Sequence, residues 1–313
     1  MPTFFKIMMR KLGTTLLLLI GRLRGRFITV HTRPMYPKPS HYRATETSAD
    51  ARCAIVMQGP LRHEDDFTFE TVKLYRHHYP AATIILSTWE GEDVSKFQAF
   101  EGKRFVVVKS AKPSFPGPHN INMQIVGTKA GIEEASRLGL AYTLKTRTDQ
   151  RMHAINALLF MQNLLEQFPV LGTKKQSKRI ASINTGTSKV RLYYFSDLFM
   201  FGDTHDMHTY WSPDLITDPS VRTPTFLPEG YLVEQFLEKT GRDTKHTMED
   251  YLAFMGERGI IIDNEAVDVY WPKYASIWRE YRFRNYFAPT LEVTFKTWLN
   301  EAYWPTREAQ QLS

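Results

Sequence analysis

A single carboxylate lies among basic side chains in the stretch 144–151, which reads LKTRTDQR directly after an apolar run. Asp149 is suited to hold a hard divalent cation through one or two oxygens, with water and phosphate supplying the other ligands. Arg147 and Arg151 are suited to steady a diphosphate, because a guanidinium binds two phosphate oxygens at once. Alternatively, Asp149 caps the following helix and both arginines are solvated. The residue types leave both interpretations open.

The run that begins at Cys53 ends in Gln58, Gly59 and Pro60. Gly59 lacks a Cβ atom, so a ligand can approach the backbone closely at this point. The alternative is a plain tight turn. It is not a phosphate-binding glycine loop, since no G-x-G-x-x-G follows the run and no G-K-[ST] occurs in the chain.

Two further acids are candidates for a general base, which must accept a proton during a reaction. Asp203 ends the run DLFMFGD at 197–203, and Glu229 follows Pro228. Alternatively, Asp203 caps a short helix, and Glu229 is a charge that the dipole at a helix N-terminus favours.

Other kinds of site find little support in the sequence. The ten histidines include no H-E-x-x-H pair, and no G-x-S-x-G elbow occurs. Cys53 is the only cysteine, which excludes an intrachain disulfide and a cysteine-based zinc site. The chain therefore does not require an oxidising compartment, and we expect it in the cytoplasm.

These residues need a scaffold, and the chain predicts one by alternating short apolar runs with helical spacing. This order is typical of an α/β fold with a mostly parallel sheet flanked by helices. The predicted strands are 53–57, 83–88, 104–108, 141–146, 180–183 and 197–201, and the main predicted helices are 67–78, 122–138, 154–168 and 231–239.

The carboxyl ends of parallel strands meet at one edge of the sheet, where ligands bind. Residues 58–60 and 147–149 follow the first and fourth predicted strands, and Trp89 and Glu90 follow the second. Asn122 and Gln124 begin a predicted helix, whose N-terminus favours anions. We expect these three loops and the loop 109–118, which follows the third predicted strand, to converge on one site within reach of Asn122 and Gln124.

The C-terminal part, from Tyr270 and Trp271 to Trp304, is rich in aromatic side chains and arginine. It is either a helical cap over the sheet or an aromatic wall for a sugar or lipid.

The first 50 residues form a basic leader and a proline-containing linker, separate from the domain predicted over 51–313. They hold nine basic and two acidic residues, whereas the other 263 hold 31 of each. A nucleic-acid partner is disfavoured, because a protein that binds nucleic acid would carry its basic excess on the folded domain.

The uncharged run 12–21 is too short to span a bilayer. We expect the leader to lie on an anionic membrane surface; a signal or anchor, or an unremarkable leader, are the alternatives.

In chain order, several stretches resemble the WavE lipopolysaccharide synthesis family over about residues 51–290. The stretches that carry the resemblance are IVMQGP at 55–60, FETVKLY at 69–75, TIILSTWE at 83–90, NINMQ at 120–124, KTRTD at 145–149, DLFMFGD at 197–203 and Pro228-Glu229.

The resemblance implies a GT-A-like glycosyltransferase that moves a sugar from a nucleotide-diphosphate donor to a lipopolysaccharide or other surface-polysaccharide acceptor, free or lipid-linked. Residues 51–205 would bind the donor, and 206–313 would bind the acceptor and cap the site. The donor residues would be Gln58, Gly59, Pro60, Trp89, Glu90, Asn122, Gln124, Arg147, Asp149 and Arg151.

Such folds usually carry an Asp-x-Asp signature that binds Mn²⁺ or Mg²⁺. Here Arg147 replaces the first acid, so Asp149 would be the metal ligand and metal dependence stays open. Glu229 or Asp203 would be the base if the reaction inverts. The alternatives are a nucleotide-sugar-binding subunit without turnover and a membrane-surface adaptor. We expect a peripheral protein on the inner face of the cytoplasmic membrane.

Overall fold

Residues 1–38 and residues 39–313 form two separate units in the computed structural model. The structure describes residues 3–25, 33–36, 49–100, 102, 104–172, 175–218, 227–274 and 291–311. The boundary lies near residue 38 rather than at the predicted 50, and most of the predicted linker falls outside the described residues.

The first unit contains one long helix, α1, over Thr3–Leu23. Its sequence includes no acidic residue and carries a basic residue, Arg22, in its last turn. No helix among the described residues combines the length and the apolar content that crossing a bilayer requires.

The second unit is built on a seven-stranded sheet with the order β3-β2-β1-β4-β7-β6-β8. All neighbouring strands are parallel except β7, which is antiparallel to both β4 and β6. This confirms the predicted α/β fold with a mostly parallel sheet. The strands are β1 Cys53–Gln58, β2 Thr83–Trp89, β3 Phe105–Ser110, β4 Tyr142–Arg147, β6 Ile180–Ile183, β7 Met200–Asp203 and β8 Gly259–Ile262, while β5 Arg151–Met152 pairs with β9 Val269–Tyr270 in a small second sheet.

Helices flank the sheet. They are α2 Phe67–His78, α3 Ile121–Arg137, α4 Ala157–Gln167, α5 Thr204–Tyr210, α6 Pro228–Lys239, α7 Met248–Arg258, α8 Asn264–Val267, α9 Phe295–Trp298 and α10 Trp304–Gln311, with a π-helical segment Leu299–Tyr303 between the last two.

Strand β1 lies in the middle of the parallel part, and all six of its residues are buried. Its continuous apolar run follows from this position, because helices cover both faces of a parallel sheet. Helix α3 approaches one face closely, since a Cβ atom at Gly127 would lie 3.0 Å from Gln58 Cγ. The lack of a side chain at this position lets α3 lie directly over the strand that ends at Gln58.

Strand β7 differs most from prediction. It begins at Met200 rather than Asp197 and runs antiparallel, because the connection 184–199 from β6 contains no crossover helix. Strand β8 was not predicted, yet it pairs with β6. The two halves predicted on either side of residue 205 therefore share one sheet.

Residues 295–311 of the C-terminal part are helical, whereas Tyr270 belongs to β9 and Glu292 forms an isolated β-bridge with Ser188. Trp298 is buried, and its indole N–H donates to the Met255 carbonyl oxygen on α7 at 2.9 Å. The aromatic and arginine residues predicted between 275 and 290 lie outside the described residues.

Candidate functional site

The loops after β1 and β4 are fastened to each other at the carboxyl edge of the sheet. The strands are neighbours, and Gln58 is opposite Arg147. Thr148 N–H donates to the Gln58 carbonyl at 3.1 Å, and the Thr148 hydroxyl donates to the Pro60 carbonyl at 2.6 Å. Thr148 therefore holds residues 58–60 and 147–149 side by side.

Gly59 is required in this junction. Its φ of +127° is in the region that only glycine adopts easily, and a Cβ atom would lie 3.0 Å from Thr148 Oγ1. The Gly59 N–H donates to the Ser87 carbonyl on β2 at 3.0 Å. The backbone conformation and the contact with Thr148 thus explain why residue 59 is glycine, without any ligand.

Asp149 lies beyond the end of β4, where Arg147 and Trp271 hold its carboxylate. Arg147 Nε donates to Asp149 Oδ1 at 2.8 Å and Nη2 donates to Oδ2 at 3.3 Å. Trp271 Nε1 donates to Oδ2 at 3.0 Å. The Arg147 guanidinium carbon also lies 5.0 Å from the centre of the Trp271 ring, and Lys273 Nζ lies 5.3 Å from the same centre. These side chains form one cluster that carries two cations and one anion.

The hydrogen bonds decide the protonation state of Asp149. Burial acts to raise its pKa, but the hydrogen bonds and charge of Arg147, together with the Trp271 N–H, outweigh burial and lower that pKa below its ordinary value. Asp149 is therefore a carboxylate at neutral pH.

The same contacts determine whether Asp149 is placed to bind the expected Mn²⁺ or Mg²⁺. Both Asp149 oxygens accept hydrogen bonds, and a guanidinium occupies the position beside them that a cation would take. Among the residues that the structure describes, no group of three His, Cys, Asp or Glu side chains is placed to hold a metal. This arrangement does not fit a divalent cation on Asp149, and we derive no step through one.

Glu229 begins a second cluster, in the first turn of α6 directly after Pro228. Tyr194 forms a hydrogen bond with its side chain, and Asp197 lies close enough to repel its charge. Burial and the Asp197 charge raise the pKa of Glu229 to about 8, against the opposing effects of the Tyr194 hydroxyl and Lys145. Its surroundings therefore favour the protonated form of Glu229 to a higher pH than for an ordinary glutamate.

Lys145 lies on β4 beside Asp197 and Trp211. It is fully buried on β4, its ammonium donates to the Asp197 carbonyl oxygen, and Nζ lies 4.6 Å from the centre of the Trp211 ring. Burial lowers its pKa to about 8, while the charges of Asp197, Asp149 and Glu229 act in the opposite direction. Since Lys145 interacts with both carboxylates, Asp149 and Glu229 belong to one electrostatic network at this end of β4.

Asp203 is not part of that network, which corrects the expectation that it shares a site with Asp149. Its strand is antiparallel, so Asp203 is opposite Tyr142 at the beginning of β4, whereas Asp149 follows the end of that strand. Its carboxylate caps α5 by accepting from His205 N–H at 2.9 Å. It lines a cleft with Glu133, Ser136, Leu140, Ala141, Thr204, His205 and His208 at the opposite edge of the sheet.

Two residues that were predicted to bind the sugar donor direct their side chains into the protein interior instead. Arg151 is buried, donates to Thr71 Oγ1 at 2.9 Å and to the Phe67 carbonyl at 3.0 Å, and so joins β5 to the first turn of α2. Asn122 uses its amide to hold Phe115 and Ile216, with three hydrogen bonds of 2.7 to 3.0 Å. We therefore revise both roles from diphosphate binding to packing.

The other residues predicted to bind the sugar donor lie at the ends of β1 and β2 or in the first turn of α3. The Gln58 side chain is buried beneath α3, and Trp89 is also buried, whereas Glu90 is exposed and Gln124 is half-buried. A separate cleft opens between the loops after β1 and β2; its lining includes Arg62, His63, Asp66, Thr68, Phe69 and Phe97.

Sequence reasoning missed Lys145, Tyr194, Asp197 and Trp271 as members of the site, and it missed the role of Thr148 in fastening the two loops. Lys145 and Thr148 lie within the KTRTD stretch and were available to it, as was Asp197 at the head of DLFMFGD. Nothing in the sequence links Trp271 to Asp149, 122 residues away.

Comparison with known proteins gives one family. A model of the WavE lipopolysaccharide synthesis family matches residues 53–235, which is more than half of the chain. No curated protein matches. One similar solved structure is the crystal structure of a glycosyltransferase involved in the glycosylation of the major capsid of PBCV-1, at 12% identity, with 74% of this chain and 96% of that chain covered and a TM-score of 0.37. A similarity of this size carries no argument about the present chain.

Proposed function

Since this chain belongs to the WavE lipopolysaccharide synthesis family, we propose that it is a glycosyltransferase which moves a sugar from a nucleotide-diphosphate donor to a hydroxyl group of a lipopolysaccharide or other surface-polysaccharide acceptor. The observation that carries the proposal is the cluster of Arg147, Asp149, Trp271 and Lys273 where β1 and β4 end.

The cluster at Trp271 supports a GT-A-like use of the sheet, in which the donor diphosphate lies where β1 and β4 end. Two cations, Arg147 and Lys273, lie near the Trp271 ring and only one carboxylate joins them, so the cluster keeps a net positive charge. As the bond between the sugar and the β-phosphate breaks, negative charge grows on the departing nucleotide diphosphate. Positive charge already in place stabilises that transition state without reorganising.

Glu229 is the proposed base in an inverting reaction. The acceptor oxygen forms the new bond to the anomeric carbon, its proton passes to the Glu229 carboxylate, and the electron pair of the broken bond leaves with the nucleotide diphosphate. A glutamate with a pKa of about 8 accepts a proton more strongly than an ordinary glutamate once it is ionised. Tyr194 orients its carboxyl group.

The identity of the donor is open to a direct binding experiment. We propose thermal-shift measurements of the full chain with nucleoside diphosphates and their sugar conjugates, with and without Mn²⁺. A ligand that binds only the folded state raises stability by RT ln(1 + [L]/Kd). If the sugar conjugates of one nucleoside diphosphate raise the melting temperature, they identify the nucleobase of the donor. If no compound in the panel shifts the melting temperature, the proposal is contradicted.

Arg147→Met gives the sharper test. Charged hydrogen bonds contribute about 1.5–3 kcal/mol each, so we expect nucleotide diphosphate to bind at least tenfold more weakly. Arg137→Met is the matched control, because Arg137 contacts Glu134 through the same two-pronged pair, at 2.6 and 2.7 Å, near the opposite edge of the sheet. Equal affinity of both variants for the nucleotide would remove Arg147 from the site.

The proposal also includes the finer expectation of a lipid-linked acceptor at the cytoplasmic face of a membrane. A nucleotide-sugar-binding subunit without turnover remains the competing function. It predicts donor binding without release of nucleotide diphosphate, and no effect of replacing Glu229 on any product.

A further inference from the structure

The helix α1 of the first unit presents a leucine stripe to solvent. Five leucines of this helix are exposed, and four of them, at positions 12, 16, 19 and 23, recur at steps of four, three and four residues. Residues spaced in this way lie on one face of a helix. Their exposed fractions are 63%, 57%, 53% and 79%, so this face is far more exposed than core leucines such as Leu86, which is fully buried.

The charge around the stripe is of one sign. Residues 1–45 contain nine lysines and arginines, and the first acidic residue of the chain is Glu46. Arg22, in the last turn of α1, and Arg24, directly after it, are both exposed. The rest of the chain, from residue 51, carries equal numbers of acidic and basic residues. The net positive charge of the protein therefore belongs to the segment of the sequence that contains the exposed leucines.

We infer that the leucine stripe of α1, with Arg22 and Arg24, docks the protein on an anionic phospholipid surface. Leucines gain free energy when they leave water for the acyl boundary of a bilayer, and each nearby arginine gains from the negative potential of acidic headgroups. The helix has no acid to oppose that potential. A helix of this kind lies in the membrane surface, which agrees with the absence of a spanning segment among the described helices.

The partner is lipid rather than protein, because positive charge without any negative charge extends along residues 1–45. A second copy of α1 would bring like charges together, which opposes self-association. The inference uses only the first unit and does not depend on the proposed sugar transfer.

The test is co-sedimentation of the full chain with vesicles, without donor or acceptor, so that its outcome is independent of catalysis. We expect binding to vesicles of phosphatidylcholine mixed with an equal amount of phosphatidylglycerol, and at least tenfold weaker binding to phosphatidylcholine alone. Raising the salt concentration should weaken binding to the mixed vesicles, because salt screens exposed charges.

Two double variants separate the apolar and the charged parts. Leu16→Gln with Leu19→Gln keeps good helix formers and removes apolar contact, and we expect at least a tenfold loss of binding. Arg22→Glu with Arg24→Glu should cause a loss of similar size on anionic vesicles only.

Matched controls come from exposed positions of the second unit. Val190→Gln with Leu291→Gln removes apolar residues that are 59% and 58% exposed, and Lys112→Glu with Lys296→Glu reverses two exposed charges. Both controls should bind like the parent protein. Equal binding to neutral and anionic vesicles, unchanged binding of the α1 variants, or a lipid-free dimer that Leu16→Gln with Leu19→Gln dissociates would each overturn the inference.

Discussion

Glu229 shows how surroundings set the chemistry of a single residue. An ordinary glutamate is ionised at neutral pH and is a weak base. Here burial and the neighbouring Asp197 make ionisation costly, so the pKa rises to about 8. Asp149 experiences burial as well, yet Arg147 and Trp271 donate to it and its pKa falls. The surroundings of the two carboxylates thus shift their pKa values in opposite directions.

This contrast predicts the pH dependence of the reaction. Glu229 must be ionised to accept a proton, so kcat/KM should rise with pH and level off above about 8. Glu229→Gln should lower kcat by about 10²–10⁴-fold while leaving the donor-induced thermal shift intact. The measurement is the release of nucleotide diphosphate across the pH range. A flat profile in the parent protein, or an active Gln variant, would exclude Glu229 as the base.

At the scale of elements, strand direction decides which acids meet. The parallel strands β1 and β4 bring Gln58 opposite Arg147, and Thr148 fastens the two loops. The antiparallel β7 carries Asp203 to the far edge, while the segment before it leaves Asp197 beside Lys145. The run DLFMFGD therefore contributes its first acid to the network and uses its last to cap α5.

Close helix packing gives a prediction about stability. A methyl group at Gly256 on α7 would meet the Ala302 carbonyl oxygen and Thr306 Oγ1 well inside van der Waals contact. Gly256→Ala should therefore lower the free energy of unfolding by about 1–3 kcal/mol, because the C-terminal helical segment must move away. Urea denaturation measures the change.

Gly230→Ala is the control for that prediction. Gly230 lies in α6, and a Cβ atom there would have its nearest neighbour, the Leu192 carbonyl oxygen, at 3.9 Å. Alanine should raise the free energy of unfolding by about 0.5–1 kcal/mol, as helix propensity alone dictates. If Gly256→Ala also raised the free energy of unfolding, the close contact of α7 with the C-terminal helical segment would be contradicted.

For the whole molecule, the net charge is divided unevenly along the chain, and the second unit contains buried ionisable side chains. The basic excess belongs to the leader, and the second unit buries Lys145, Asp197 and Asp206 among apolar residues. Asp206 accepts three backbone hydrogen bonds from Ser177 and Lys178, yet burial still raises its pKa to about 6. Stability must therefore vary with pH through a few identifiable groups.

Glu229 should contribute to the pH dependence of stability near neutral pH. Its folded pKa of about 8 exceeds the ordinary 4.5, so the folded state holds the proton that the unfolded state has released. Stability then falls as pH rises from 6.5 to 7.5, by at most roughly 1 kcal/mol for one proton per pH unit. Thermal unfolding at several pH values should show this slope in the parent protein. A slope that persists in Glu229→Gln would assign it to another group.

The sequence by itself determined the alternation of strands and helices, the edge where residues 58–60 and 147–149 meet, and membership of the family. These depend on local periodicity and on the rule that parallel strands end together, both of which are written in neighbouring residues. Only the tertiary structure decided the direction of β7, the contact of Trp271 with Asp149, and the inward turn of Arg151 and Asn122. Those outcomes depend on partners far along the chain, because a buried polar group takes whichever donor or acceptor the completed fold brings to it.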